Sequence, residues 1–326
     1  MKVSLISGVY NCEKYLAKCL DSLVGQTYED IEIILINNFC HDNSQKIIEQ
    51  YKTKYPNKIL AYETKEKLGA GGSRKKGFEL ASGDYIAFID CDDRISCNYI
   101  EEFIKVVKEE NYPDIVIGNF CKEDVQQNIL YERKFYDKDK ALVQSIAPWG
   151  KIYRRKFLEE NDLCFENIPF GEDILFAAGV YLAHPKVTLC NNIGYYWFNN
   201  LNSTSHTEIR YFPKNNIEIS KKYLLNLKNK FPESNVDYFA YKYYIWYLLH
   251  SGRLVGNKRM YEEYEKVFDI LEKEFPLYMT HKNIPEERFI LKLVLYFMRK
   301  FRKIKLDKYF LGVYSELEVD KLWPKL

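Results

Sequence analysis

Gly83-Asp84-Tyr85-Ile86-Ala87-Phe88-Ile89-Asp90-Cys91-Asp92-Asp93 carries an apolar run of strand length straight into three carboxylates. Tyr85 to Ile89 is too short for an ordinary helix and lies between a glycine and a block of charge, so it reads as a buried strand. Carboxylates packed this closely raise one another's pKa unless something neutralises them. A divalent cation would do so: hard oxygen ligands suit Mg²⁺ or Mn²⁺, and Mg²⁺ is commonly held by one or two carboxylates plus substrate phosphates. The competing reading is a solvated acidic turn that caps a helix starting near Ser96. On this stretch alone both readings stand.

Further strand-length runs rich in Val and Ile lie at Val3 to Val9, Ile31 to Ile36, Ile59 to Tyr62 and Ile115 to Ile117. Between them Leu16, Leu20 and Leu23, then Ile47, Ile48 and Tyr51, recur with helical spacing. Strand and helix in turn predict an α/β fold with a mostly parallel sheet covered on both faces. Ligands of such sheets bind beyond the carboxyl ends of the strands, where the acidic cluster falls. Residues 120 to 147 read as an irregular excursion and 149 to 207 as mixed. From about Glu208 long helical patterns dominate, aromatic and basic, with Gly256 and Pro276 as punctuation, so a boundary is expected near 208.

The 326 residues, with 48 Lys plus Arg against 46 Asp plus Glu and 47% hydrophobic content, have a globular composition. That argues against a disordered, collagenous or integral membrane chain. A net charge of +2 gives no reason to expect nucleic acid as a partner. The total hides a division: the first 200 residues carry an acidic excess, the remainder a basic one. Eight cysteines without a C-x-x-C pair read as reduced thiols of a cytosolic protein. No run approaches the ~20 apolar residues of a spanning helix. The apolar start is broken by Asn11 and Glu13 too early for a signal peptide, so a cytoplasmic location is expected.

Several segments combine into a more specific pattern. They are V-S-L-I-S-G-V-Y-N-C-E-K-Y-L-A-K-C-L-D-S-L-V-G-Q-T-Y-E-D-I-E-I-I-L-I (3 to 36), G-A-G-G-S-R-K-K-G (69 to 77), A-S-G-D-Y-I-A-F-I-D-C-D-D (81 to 93), W-G-K-I-Y-R-R-K-F-L (149 to 158), F-G-E-D-I-L-F (170 to 176) and N-S-T-S-H (202 to 206). In this order and spacing the chain resembles family 2 glycosyltransferases of the GT-A fold, the large inverting bacterial group. The resemblance implies a GT-A catalytic domain over 1–207, with a nucleotide-sugar half at about 1–120 and an acceptor half at about 121–207. A helical C-terminal region, 208–326, would follow.

Asp90-Cys91-Asp92 then occupies the family's D-x-D motif. Asp92 would ligate Mn²⁺ or Mg²⁺ on the donor's diphosphate, Asp90 would face the ribose or sugar, and Asp93 would cap or shape the turn. Glu172-Asp173 matches the family's E-D pair, whose Asp is the general base; read bare, the pair merely starts a helix. His206 resembles a histidine that completes the metal or diphosphate site, against the plain reading of a solvated loop histidine. Tyr10 would pack on the nucleotide base, or simply fill the turn. Arg74 matches an arginine that reaches phosphate or ribose, as its fork geometry suits. The glycines at 69 to 72 fit neither a dinucleotide fingerprint, whose third glycine would fall on Arg74, nor a P-loop, which needs Gly-Lys-Ser/Thr.

Trp149 and Lys151 match the family's W-x-K segment on the acceptor side, where Trp149 would stack on a sugar or fill the core. Two departures stand out: Ser7-Gly8 replaces the usual Val-Pro, and Asn37-Asn38 replaces an Asp pair whose second member contacts the base, typically uracil. Asn38 can donate and accept, so pairing with a base edge survives.

Between Arg288 and Lys308 the chain is strongly basic, with Asp307 the single acid. Ile290, Val294, Phe297, Phe301 and Ile304 are expected on one helical face. Such a helix lies on an anionic membrane surface, on the inner face of the cytoplasmic membrane, or packs against the catalytic domain or a second subunit.

The chain is thus expected to be a metal-dependent inverting glycosyltransferase. It would move a hexose or N-acetylhexosamine from a nucleotide sugar, with UDP favoured, to a hydroxyl of a glycan, glycoprotein or lipid-linked acceptor. Two other classes compete: a non-catalytic sugar-nucleotide or glycan-binding relative, suggested by Asn37-Asn38, and a membrane-docked interaction protein whose working part is the tail.

Overall fold

The computed structural model describes residues 1–200, 211–232, 234–252, 255–280, 284 and 286–314. The chain divides into two units, Met1–Asn167 with Ala183–Leu201, and Ile168–Leu182 with Asn202–Leu326.

In the first unit each apolar run of the sequence becomes a strand: β1 (Val3–Val9), α1 (Glu13–Val24), β2 (Ile31–Asn37), α2 (Ser44–Lys54), β3 (Ile59–Glu63), α3 (Gly69–Leu80) and β4 (Tyr85–Phe88) follow in turn. β1 pairs in parallel with both β2 and β4, and β2 with β3. β1 buries side chains of both faces, Leu5 and Ile6 alike, as a strand covered by helices on both sides must. Leu16, Leu20 and Leu23 of α1 are all buried against the sheet core, which the helical spacing anticipated.

The chain continues through β5 (Arg94–Ile95), α4 (Tyr99–Glu109), β6 (Ile115–Glu123), β7 (Ile129–Arg133), α5 (Lys138–Gln144), β8 (Lys151–Arg154) and α6 (Arg155–Glu160). After α7 (Glu172–Leu182) of the second unit comes β9 (Val187–Phe198). The sheet order is β3-β2-β1-β4-β8-β6-β9-β5, with β7 added to β6. β8 runs antiparallel to β4 and β6, and β5 antiparallel to β9, so the parallel first half passes into a mixed second half. The stretch 120 to 147 is not the irregular excursion expected: it holds the end of β6, all of β7 and α5. The sequence conceals β7 because Ile129 to Glu132 are exposed on both sides of the strand, leaving no alternation to read.

α3 lies close on β1. A Cβ at Gly77 would stand 2.2 Å from Ile6 Cγ2, whose branched, buried side chain has nowhere to move. Gly77→Ala is therefore expected to destabilise the unit by about 1–3 kcal/mol through overpacking, which a urea titration would read as a lower midpoint.

The second unit is helical. α7 packs with α8 (Asn216–Lys230) and α9 (Val236–Ser251); α10 (Asn257–Glu274), a 3₁₀ turn at Pro276–Met279 and α12 (Asp307–Tyr314) pack on α9, and α11 (Phe289–Lys303) on α12. Residues 168–182, expected within the 1–207 segment, fold with these helices. α9 is buried nearly all round and holds five of the 28 tyrosines. Tyr238, Tyr243 and Tyr247 are enclosed, and their hydroxyls meet Glu287, the Phe170 carbonyl and Glu263. Lys242 and Glu287 form a buried ion pair beside them. Among the described residues no helix is long and apolar enough to cross a membrane.

Candidate functional site

Three parallel strands end side by side. The Asn38 amide donates to the Val9 carbonyl at 2.8 Å, and Ile89 N to Ile6 O at 2.9 Å, so Tyr10, Asn38 and Asp90 leave the sheet at one edge. This brings together the first turn, the Asn pair and the acidic cluster, far apart in sequence.

Tyr10 is exposed there, with Lys67 Nζ 3.9 Å above its ring. Asn11 takes a left-handed φ of 46°, and its side-chain oxygen accepts from His41 N at 2.8 Å, tying the first turn to the loop after β2. Asn38 is buried: its Oδ1 accepts from Leu68 N at 2.6 Å and its Nδ2 donates to Gly69 O at 3.3 Å. Its amide thus anchors the start of α3, with one lone pair and one N–H beyond those two bonds.

Arg74, reaching from α3, donates through Nη2 to Asp90 Oδ1 at 2.9 Å. Asp92 accepts from Asn200 Nδ2 at 2.9 Å. Burial, and after it the charge of Asp90, pushes the Asp92 carboxyl above its ordinary range. Asp93 is buried and turns the other way. Its two oxygens accept from Tyr195 OH at 2.5 Å and Phe198 N at 2.8 Å, and the Tyr195 hydroxyl in turn accepts from Asp90 N at 3.2 Å. Asp93 therefore shapes the turn by fastening it to β9. Beneath the loop, a hydrogen bond with Cys91 together with burial keeps the Cys12 thiol protonated, and Cys19 donates to the Asp90 carbonyl at 3.6 Å.

Asp90 and Asp92 supply hard oxygen donors, and a divalent cation would offset the burial and the Asp90 charge that together disfavour the ionised Asp92 carboxyl. The donor set fits a cation completed by a diphosphate rather than a protein-only cage. Among the described residues no three His, Cys, Asp or Glu side chains converge as such a cage.

Trp149 is enclosed, stacked on Tyr195 with centroids 4.6 Å apart and edge-on to Phe120 at 4.9 Å. Lys151 is buried too, its ammonium donating to the carbonyls of Ser145 and Ala147 at 2.5 Å each. Both were expected on the acceptor side; their side chains are turned into the protein, and Trp149 backs the tyrosine that holds Asp90 and Asp93.

Glu172 and Asp173 form the first turn of α7, in the second unit. Asn216 Oδ1 accepts from Phe170 N at 3.1 Å and the Tyr243 hydroxyl donates to Phe170 O at 3.0 Å, which fixes the approach to the helix. Gly171 has φ +76°, and a Cβ there would stand 2.8 Å from the Tyr243 ring, so glycine is required. Asp173 Oδ1 accepts from Ile174 N at 2.8 Å. His206 lies outside the described residues.

Sequence reasoning missed Asn200 and Tyr195, which hold the acidic loop, and Glu123, a buried carboxylate paired with Arg94 at 2.6 Å and Lys18 at 3.0 Å. The polar pair Asn199-Asn200 directly after an aromatic strand was the available signal for the first.

Residues 4–175 match the family model described as glycosyl transferase family 2. The chain is 32% identical over 209 residues to glycosyltransferase GlyA of Streptococcus pneumoniae, covering 58% of this chain and 29% of that protein. It is 31% identical over 226 residues to a poly(ribitol-phosphate) beta-glucosyltransferase of Bacillus spizizenii, covering 66% and 35%. The chain thus spans about a third of the length of these curated relatives. In fold it resembles the crystal structure of S. aureus TarS 1-349 in complex with UDP-GlcNAc, with a TM-score of 0.68, 17% identity and coverage of 97% of this chain and 91% of that one. The mixed sheet with flanking helices and the helical C-terminal region are the architecture expected of a GT-A protein.

Proposed function

This chain belongs to glycosyl transferase family 2, and from that premise we propose that it transfers a hexose or N-acetylhexosamine, with inversion, from a UDP-sugar to a hydroxyl of a glycan, glycoprotein or lipid-linked acceptor. One observation carries the reading: at the end of β4 the D-x-D pair is held in place, Asp90 by Arg74 and Asp92 by Asn200, while the following Asp93 is fastened to Tyr195. We assign the nucleotide-sugar half to about 1–120, the acceptor half to about 121–207 and a helical region to 208–326.

Tyr10 and Asn38 form the base side of the donor pocket, with Tyr10 offering its ring and Asn38 the remaining donor and acceptor of its amide. Arg74 orients Asp90 toward the ribose or sugar. Asp92, with His206, would hold Mn²⁺ or Mg²⁺, which when bound offsets the charge that develops on the departing diphosphate. Asp173 takes the proton of the acceptor hydroxyl as that oxygen attacks the anomeric carbon, and Glu172 accompanies it in the same helical turn. Trp149 and Lys151 serve the acceptor side by fixing the walls behind it.

UDP release from a panel of UDP-sugars with Mn²⁺ tests the proposal; no release with any nucleotide sugar would overturn it. Thermal unfolding supplies a second expectation. A carboxyl whose folded pKa is raised stabilises fully below its unfolded pKa, and that contribution is lost as pH rises through the folded value. Asp92 and Asp93 are both raised, so the ligand-free protein should lose stability as pH climbs above the ordinary carboxylate range. UDP with Mn²⁺ at a hundredfold excess over Kd should restore about 5 °C in Tm at neutral pH, and EDTA should abolish the gain.

A further inference from the structure

We propose that α11 and α12 form a surface that docks on an anionic lipid bilayer. α11 seats only one side in the second unit: Leu295 and Met298 are buried, and the Tyr241 hydroxyl reaches the Leu295 carbonyl at 3.4 Å. On the opposite side Phe289, Leu293, Tyr296 and Phe297 are between 39% and 72% exposed. Their spacing of i, i+4, i+7 and i+8 places them on one face.

The exposed face does not stop at the helix end. Ring contacts run from Tyr296 to Phe297 at 5.6 Å, to Phe301 at 6.3 Å and on to Phe310 of α12 at 5.8 Å, beside the 71% exposed Tyr309. Contiguous apolar surface of this kind on a water-exposed protein marks a contact site.

Charge selects the occupant. Arg288, Lys300, Lys303 and Lys305 are exposed, residues 288 to 306 contain no acid, and Asp307 is buried on the Tyr264 hydroxyl. A second copy meeting this face by a two-fold axis would bring the same cations against these. Anionic headgroups would neutralise them while the aromatic rings enter the headgroup boundary, the arrangement of a helix lying in the interface plane.

The test uses the full chain without any nucleotide sugar, so its outcome is separate from that of the proposed transfer. Co-sedimentation with vesicles of phosphatidylcholine plus phosphatidylglycerol should capture the protein, and added salt should release it. Vesicles of phosphatidylcholine alone should capture little. Phe289→Ser with Phe297→Ser, and separately Lys300→Glu with Lys303→Glu, should each lower partitioning about tenfold or more. All four side chains are exposed, so melting temperature and UDP binding should stay at wild-type values and report intact folding. Equal capture by both vesicle types, no capture by either, or a dimer in light scattering that these variants dissociate would each overturn the proposal.

Discussion

Asp173→Asn is expected to lower kcat by about 10²- to 10⁴-fold, the range that a positioned general base contributes, while donor affinity is retained. The change is nearly isosteric. The asparagine carbonyl can still accept from Ile174 N, and Gly171, Asn216 and Tyr243 still fix the entry to α7. Basicity is removed together with one negative charge in the first turn of α7, so stability should fall by no more than about 1 kcal/mol, and the deficit should appear at saturating donor and acceptor. Steady-state UDP release gives kcat, and thermal stabilisation by UDP gives donor binding. Transfer at the wild-type rate would remove Asp173 as the base. A matched loss of UDP binding would place it instead with the donor.

Asp92→Asn should do the reverse. Metal-dependent UDP binding is expected to weaken by about tenfold or more, because a neutral amide is a poor substitute for a hard anionic ligand. The substituted side chain can still accept from Asn200, so the loop keeps its shape. In the ligand-free protein the same change should raise Tm at neutral pH, since it removes a carboxylate that burial and Asp90 disfavour in its charged form. Gain of ligand-free stability with loss of function marks a charge kept for its ligand. Thermal unfolding with and without UDP and Mn²⁺ reads both effects. A wild-type response to Mn²⁺ in the variant would exclude Asp92 as the ligand.

The apolar runs that became β1, β2 and β4 were legible because strands buried on both faces are apolar throughout and end in abrupt changes of composition. The acidic cluster was legible for the same reason: three carboxylates after an apolar strand conflict with burial unless they have a purpose. β7 was hidden because its side chains meet solvent and leave no periodic trace. α11 was half legible. Its basic, apolar character was plain, yet Phe297 and Ile304, two residues of the apolar face expected, are not among those that pack. Leu295 and Met298 are buried, Phe297 and Ile304 are exposed, and Arg299 lies over the Tyr241 ring. A helix apolar around most of its circumference can seat any side, and α9 and its neighbours decide which.

The sequence by itself determined the alternation of strands and helices, the placing of Asp90 and Asp92 at a strand's carboxyl end, and the acidic start of α7. These are local matters of periodicity, charge and helix termini. Only the tertiary structure decided what each side chain is for. Asp93 belongs to Tyr195 and β9, Asn38 to the backbone that opens α3, Asn200 to Asp92, and Trp149 to the core behind Tyr195. The physical reason is that a polar or aromatic residue takes its role from the partner that satisfies it once water is excluded, and those partners lie as many as a hundred positions away along the chain.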